Sequence, residues 1–273
     1  MKPSGSESKQ QQRWNIKGRQ FLDALRENPE SFIVDASPYS NRGIINRDLM
    51  QLLGPLQGRR VLELGCGRGR FAVFLARSGA ETTGVDVGPD LVAAARELAR
   101  INQVECRFEQ ANVTDLPFEE SVFDLVVGIA ILHHLSDRDL LKALQETHRV
   151  LEKGGIAVFL EPVENSRAFN LIQNLFPIGR EGNDNYRPSI LQRRKWLAYI
   201  QAADDRALTN RELTSAGAQF EKVTVRAYGF LARLTRLVGG KHRDSLESID
   251  ATLFRAFPPL RHLCRDVLVA YYK

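Results

Sequence analysis

Residues 61–69 read VLELGCGRG. An apolar run carries one acidic residue, Glu63, and is followed by glycines at alternate positions and then by a second apolar segment, residues 71–75. This pattern predicts a strand, a tight glycine turn and a helix, with backbone amides free to approach a nucleotide-like ligand. A glycine turn of this kind also occurs as a purely structural connection from strand to helix. The residues around it are therefore needed to distinguish a ligand-binding turn from a structural one.

The acidic residue selects among nucleotide-like ligands. Glu63 would repel the pyrophosphate that a dinucleotide places at this turn, and it would attract a ligand that carries an ammonium group. Arg70 also stands where the dinucleotide fingerprint G-x-G-x-x-G needs its last glycine. The turn therefore favours a cationic ligand over a dinucleotide.

A second acidic residue supports a nucleoside. Residues 80–86 read as a second strand that ends at Asp86, roughly 20 residues after the glycine turn, where a ribose diol needs an acceptor. Glu63, the glycines and Asp86 together make a purely structural turn a poor explanation.

The motif E-x-G-x-G-x-G resembles the first motif of the class I S-adenosylmethionine-dependent methyltransferases. Residues 112–118, NVTDLPF, resemble the family segment D-A-x-x-L-P-F, whose leading acid accepts from the adenine amino group; this chain has Asn112 there, whose amide oxygen also accepts. The resemblance implies S-adenosyl-L-methionine as cofactor and S-adenosyl-L-homocysteine as product. The cofactor-binding residues that it implies are Glu63, Gly65, Cys66, Gly67, Gly69, Asp86, Val87, Asn112, Val113 and Ile129.

The expected fold is α/β: a Rossmann-like, seven-stranded, mostly parallel sheet with helices on both faces, an N-terminal helical cap and helical lid insertions. Further strands are predicted at residues 106–111, 123–130, 156–160, 220–226 and 266–272. A helix over residues 138–151 is expected to end in a left-handed cap at Gly154 and Gly155, and a short capped helix is expected at residues 209–213.

The chain divides into five predicted parts. Residues 1–12, rich in Ser, Gln and Lys, are expected to be disordered, and residues 13–54 form the N-terminal cap. The cofactor-binding core spans residues 55–162 and is followed by a lid insertion at 163–203. Residues 204–273 complete the core and contain a second helical insertion at about 228–262, whose apolar residues repeat at helical spacing and either pack on the sheet or line a substrate pocket.

Candidate catalytic groups follow the fourth and fifth strands, at the crevice where ligands of open sheets bind. His133 or His134 could take a proton from the acceptor at neutral pH, and the alternative is a packed structural imidazole. Glu161 could orient a polar acceptor, or it could cap a loop. Tyr39 and Tyr186 are loop aromatics that could line the pocket, and no carboxylate–histidine cluster suggests a metal.

Charge, cysteine content and apolar runs restrict the partners and the compartment that the sequence predicts. The net charge of +5 raises the question of nucleic acid, but basic runs such as residues 193–195 are more often solvated helix faces. The segment at 128–131, GIAI, also lacks the D/N-P-P-Y/F sequence of base-modifying methyltransferases. Three scattered cysteines favour a reducing cytoplasm, and no apolar run reaches the ~18 residues of a membrane span.

The predicted function is methyl transfer to a small or medium-sized organic acceptor, at oxygen in the first instance, with nitrogen and carbon left open. The sequence leaves two alternatives open: an RNA or protein methyltransferase, favoured by the basic charge, and a noncatalytic module that holds a nucleoside.

Overall fold

The computed structural model of the chain describes residues 5–34, 43–166, 175, 189–202, 206, 208–234 and 243–273. The loop aromatics Tyr39 and Tyr186 lie outside the described residues. Of the predicted lid insertion at 163–203, the structure describes residues 163–166, 175 and 189–202.

Seven strands and eight helices are described. The strands are β1 (Arg60–Leu64), β2 (Glu81–Asp86), β3 (Cys106–Gln110), β4 (Phe123–Ile129), β5 (Leu151–Pro162), β6 (Lys222–Tyr228) and β7 (Asp266–Tyr272). The helices are α1 (Gly5–Glu27), α2 (Gly43–Leu53), α3 (Arg70–Arg77), α4 (Pro89–Ile101), α5 (Asp137–Val150), α6 (Arg193–Ala202), α7 (Asn210–Ala216) and α8 (Arg243–Ala256). Short 3-10 helices include Leu132–His134 and Leu231–Leu234.

All seven strands form one sheet in the order β3-β2-β1-β4-β5-β7-β6. The first five strands are parallel, and β7 runs antiparallel to both β5 and β6. This is the Rossmann-like, mostly parallel α/β sheet that the sequence predicts. Because parallel strands point the same way, the carboxyl ends of β1, β2, β4 and β5 meet at one edge of the sheet.

Alternate residues of the strands pack into two hydrophobic cores, one on each face of the sheet. In β1, Val61 packs with helices α1 to α4 on one face, whereas Leu62 packs with α5 and α7 on the other. A strand buried on both faces reads as a continuous apolar run, which explains why Glu63 stands out within the sequence of β1.

Two predicted boundaries are wrong. Residues 5–12, expected to be disordered, form the beginning of α1, because Glu, Lys and Gln are good helix formers that extend the amphipathic segment behind them. Helix α5 does not reach a cap at Gly154: it ends at Val150, and Leu151 already has an extended backbone and begins β5. Gly154 does have a left-handed φ of 79°, but it lies inside the strand.

The short helix α7 is confirmed together with its capping box. The Thr209 side chain accepts from the Glu212 amide, and the Glu212 carboxylate accepts from the Thr209 amide. This reciprocal pair satisfies two amides that a helix start would otherwise leave unpaired.

Candidate functional site

The glycine turn after β1 forms the floor of the site. Gly65 has a left-handed φ of 65°, and a Cβ placed there would come within 2.6 Å of Ile131. A Cβ on Gly67, also left-handed with a φ of 52°, would meet no atom within 4 Å. The first glycine is therefore required by packing, and the second faces open space that a ligand can enter. Cys66 between them is buried, as expected of a packed residue.

Asp86 ties the end of β2 to this turn. Its Oδ2 accepts from the amide of Gly67, and its Oδ1 accepts from the amide of Gly88, both at 2.9 Å. Burial raises the pKa of the Asp86 carboxyl, and the amides of Gly88, Gly67 and Val87 and the His134 ring oppose that shift. A carboxylate has about four lone-pair positions, so it can still accept a hydrogen bond from a ligand hydroxyl beside these amides.

Glu63 lies beneath the turn and is only 4% exposed. Its Oε2 is buried and makes no hydrogen bond within the described part of the chain. Burial raises its pKa to about 8, although the amide of Ala72 in the first turn of α3 acts in the opposite direction. A buried carboxyl group with one unpartnered oxygen suits a cationic ligand group, whose charge would offset the cost of burial.

The remaining predicted cofactor residues follow the other strand ends. Val87 is 39% exposed beside Asp86, Val113 is buried, and Ile129 ends β4. Asn112 is exposed, and its Oδ1 accepts from the Thr114 amide at 3.0 Å. An amide oxygen has two lone pairs, so this turn leaves room for a second donor.

Glu161, at the end of β5, organises the turn that follows β4. Its Oε1 accepts from the amides of Ile131 and Leu132, both at 2.8 Å, and its Oε2 lies 3.3 Å from the His133 amide and 2.8 Å from its Nδ1. The Glu161 side chain has no exposed surface, so it cannot orient an acceptor directly. It takes the loop-capping role that the sequence left as the alternative.

The same contacts fix the tautomer of His133. Because a carboxylate only accepts, the His133 Nδ1 carries a proton, and its Nε2 is the atom with a lone pair in the neutral ring. The His134 ring packs beside that of His133, with centroids 4.0 Å apart. Ala130 just before this turn has a left-handed φ of 56°, a strained conformation for a residue with a side chain.

The sequence predicts an N-terminal cap over residues 13–54, but it does not identify which residues of α1 reach the site. Trp14 packs edge-on against His134, with ring centroids 5.8 Å apart. The Asn15 Oδ1 lies near Gly88, since a Cβ on that glycine would be 3.4 Å from it. No motif in the sequence marks these two residues, because helical spacing alone does not say where a helix docks.

Within the described residues, no set of three His, Cys, Asp or Glu side chains is arranged to hold a metal ion. In the same part of the chain, none of the helices combines the length and apolarity needed to cross a membrane.

The residues described above fit S-adenosylmethionine. The buried Glu63 oxygen without a described partner would suit the ammonium group, Gly67 opens onto free space, and the Asp86 carboxylate at the glycine turn would suit a ribose diol. The positive sulfonium and ammonium charges agree with the acidic character of Glu63 and Asp86.

Comparison with known proteins gives the same result. Residues 61–155 match the family described as "Methyltransferase domain". The ubiquinone biosynthesis O-methyltransferase of Pseudomonas syringae pv. tomato is 30% identical over 168 residues, which cover 58% of this chain and 72% of that protein. The demethylmenaquinone methyltransferase of Thermus thermophilus is 36% identical over 121 residues, 43% of this chain and 54% of that protein.

A solved structure agrees in fold. The S-adenosylmethionine-dependent methyltransferase of Mesorhizobium loti superposes with a TM-score of 0.54 at 18% identity, over 89% of this chain and 100% of that one. The matched part of this chain spans between 40% and 61% of the length of four curated relatives. Sequence motif, site geometry, sheet order and relatives agree, and the chain belongs to the class I S-adenosylmethionine-dependent methyltransferases.

Proposed function

We propose that this protein transfers the methyl group of S-adenosylmethionine to an oxygen atom of a small or medium-sized organic acceptor. The observation that carries the proposal is the presence, at one glycine turn, of a buried Glu63 carboxyl with one unpartnered oxygen and of an Asp86 carboxyl held by the amides of Gly67 and Gly88. One group suits the methionine ammonium and the other suits the ribose. Relatives whose names specify O-methylation in ubiquinone biosynthesis support oxygen as the first atom to test.

The cofactor supplies a methyl group that is already activated by the sulfonium charge. The protein has to hold the acceptor about 3 Å from the methyl carbon and exclude water. A hydroxyl acceptor also has to lose a proton. His133 supports a role as the base, because its Nδ1 proton is fixed by Glu161 and its Nε2 retains a lone pair. Glu161 is then a positioning residue that acts through His133.

The proposed cofactor contacts can be tested by calorimetry on the full chain. We expect S-adenosylmethionine and S-adenosylhomocysteine to bind and NAD to give no heat. The variant D86A should weaken S-adenosylhomocysteine by about 1–3 kcal/mol, because ribose hydroxyls lose a charged acceptor. The variant G67V should abolish binding, because its side chain would fill the space that the ligand needs and would force a strained φ.

The control is G58V, since Gly58 has a similarly left-handed φ of 71° and open surroundings but lies before β1. This variant should carry a comparable backbone strain and still bind. Binding of NAD without binding of S-adenosylmethionine would refute the proposed function. Once the cofactor is established, a panel of phenols, carboxylic acids and amines identifies the acceptor atom.

A further inference from the structure

Helix α1 is held at a close approach to the beginning of α4. A Cβ on Gly18 would lie 2.6 Å from the carbonyl carbon of Asp90, so only glycine fits at this crossing. One residue later, the Arg19 Nε donates to the Asp90 Oδ2 at 2.8 Å. Since α4 begins just after Asp86, this crossing fixes α1 beside the end of β2.

A second contact ties α1 to the glycine turn. Phe21 is buried and packs edge-on against Phe32, with ring centroids 5.1 Å apart. The guanidinium of Arg68, a residue of the glycine turn, lies 4.9 Å from the Phe21 ring centroid. Helix α1 therefore contacts both the glycine turn after β1 and the segment that follows β2.

The preceding turn of α1 places Asn15 at the ribose end of that site. Its Oδ1 is buried and forms no hydrogen bond with any described residue. A Cβ on Gly88 would be 3.4 Å from this oxygen and 3.3 Å from the Asp86 Oδ1, so the amide oxygen and the carboxylate oxygen lie on the same side of Gly88. A buried acceptor without a donor is costly, and its position points to a donor that the free protein does not supply.

We propose that α1 covers the ribose of the bound cofactor and that the Asn15 side chain hydrogen-bonds one of its hydroxyl groups beside Asp86. The inference rests on the proposed function, because it requires a nucleoside with a ribose diol. A diol presents two donors, and Asp86 and Asn15 present two separate acceptors. Trp14, packed on His134, extends the same helix toward the turn after β4.

The test compares the full-length protein with N15L and with the matched control Q20L, which removes an exposed amide from the same helix. Calorimetry is carried out with S-adenosylhomocysteine and with its 2′-deoxy and 3′-deoxy analogues. We expect N15L to weaken S-adenosylhomocysteine about tenfold and to cause no loss against the analogue that lacks the bonded hydroxyl. Q20L should bind all three ligands as the wild type does.

Thermal unfolding without ligand separates a ligand contact from a structural one. Replacing an amide whose buried oxygen has no donor by an apolar group of similar size should leave the Tm of the free protein unchanged or raise it. The proposal is overturned if N15L binds S-adenosylhomocysteine as tightly as the wild type. It is also overturned if the loss is equal for all three ligands, or if the Tm falls together with affinity. A wild-type protein that binds no S-adenosylhomocysteine would instead refute the proposed function, and the contact with it.

Discussion

Glu63 combines burial, an unpartnered oxygen and a pKa raised to about 8 from its ordinary 4.5. The folded free protein therefore keeps a proton on this group that the unfolded chain has already lost. Its contribution to stability is complete below pH 4.5 and is lost as the pH rises toward 8. Within that window, a rise of one pH unit lowers the free energy of unfolding by about 1.4 kcal/mol where the unfolded chain is fully ionised and the folded protein fully protonated at this group.

The variant E63Q cannot titrate and should escape this loss. We expect its Tm relative to the wild type to increase steadily from pH 5 to pH 8, measured by thermal unfolding without ligand. The variant E105Q, at an exposed position before β3, is the control and should show a constant difference. A constant difference for E63Q as well would mean that Glu63 is ionised in the free protein.

The sequence predicts Glu63 and Asp86 but not Asn15, and the reason is distance along the chain. The acids stand at fixed, short spacings from a glycine turn, so one strand–turn–helix unit places both of them. Asn15 reaches the same site only because α1 docks on α4 through Gly18, and nothing in the local pattern of α1 specifies that docking.

At the scale of elements, β5 controls the turn after β4 through Glu161. The variant E161A would leave buried amides of that turn without an acceptor and should destabilise the protein by about 3 kcal/mol or more. The variant H133Q keeps Glu161 and a similar side-chain size, so its Tm should stay close to that of the wild type. If His133 is the base, H133Q should lower turnover by about 100-fold with S-adenosylhomocysteine affinity unchanged.

These variants need three readouts: thermal unfolding, calorimetry with S-adenosylhomocysteine, and methyl transfer over a range of pH. The loss of the acidic limb of the pH–rate profile in H133Q would identify this histidine as the group that takes up the proton. Full turnover in H133Q would show that positioning and exclusion of water are sufficient. An unchanged Tm in E161A would contradict the capping role.

The boundary between α5 and β5 could not be predicted from the local sequence pattern. Gly154 and Gly155 are typical of a helix cap, yet the helix ends at Val150, because pairing with β4 begins at Leu151, opposite Phe123. The Gly154 amide instead donates to the carbonyl of Lys273 at 2.7 Å. A partner so remote in sequence decides the structure of this segment.

On the scale of the whole molecule, α8 connects the second insertion to the N-terminal cap. Glu247 is buried, and its Oε2 accepts from the Ile44 amide at 2.8 Å, at the beginning of α2. Asp250 is also buried, and its two oxygens accept from the amides of Leu231 and Ala232. Two carboxylates on one helix thus hold two segments that are far apart in the chain.

Amide hydrogen exchange can measure separately how far Glu247 and Asp250 each stabilise the segment that they contact. The variant E247A should raise the amide exchange of residues 43–48 and leave residues 231–234 less affected, and D250A should do the reverse, since each removes the acceptor of one segment. D244A, at an exposed position in α8, is the control. Equal acceleration of both segments in E247A and D250A would show that α8 unfolds as a unit.

The sequence predicts the class of the sheet and most of its strands, since apolar runs and turns are local. The packing of the second insertion is not predicted, because it depends on the buried acids Glu247 and Asp250, which look like ordinary surface residues of an amphipathic helix. Only tertiary partners distinguish them.

The position of β7 between β5 and β6 has a consequence during synthesis on the ribosome. Ile156 of β5 pairs with Tyr272, so the open edge of the growing sheet stays uncovered until residues 266–272 have been translated and released from the exit tunnel. A nascent chain whose strand edge presents unpaired backbone N–H and C=O groups is prone to pair with another chain. Expression in cells should therefore depend on chaperones that shield this edge, and a circular permutant that places β7 ahead of β1 should depend on them less.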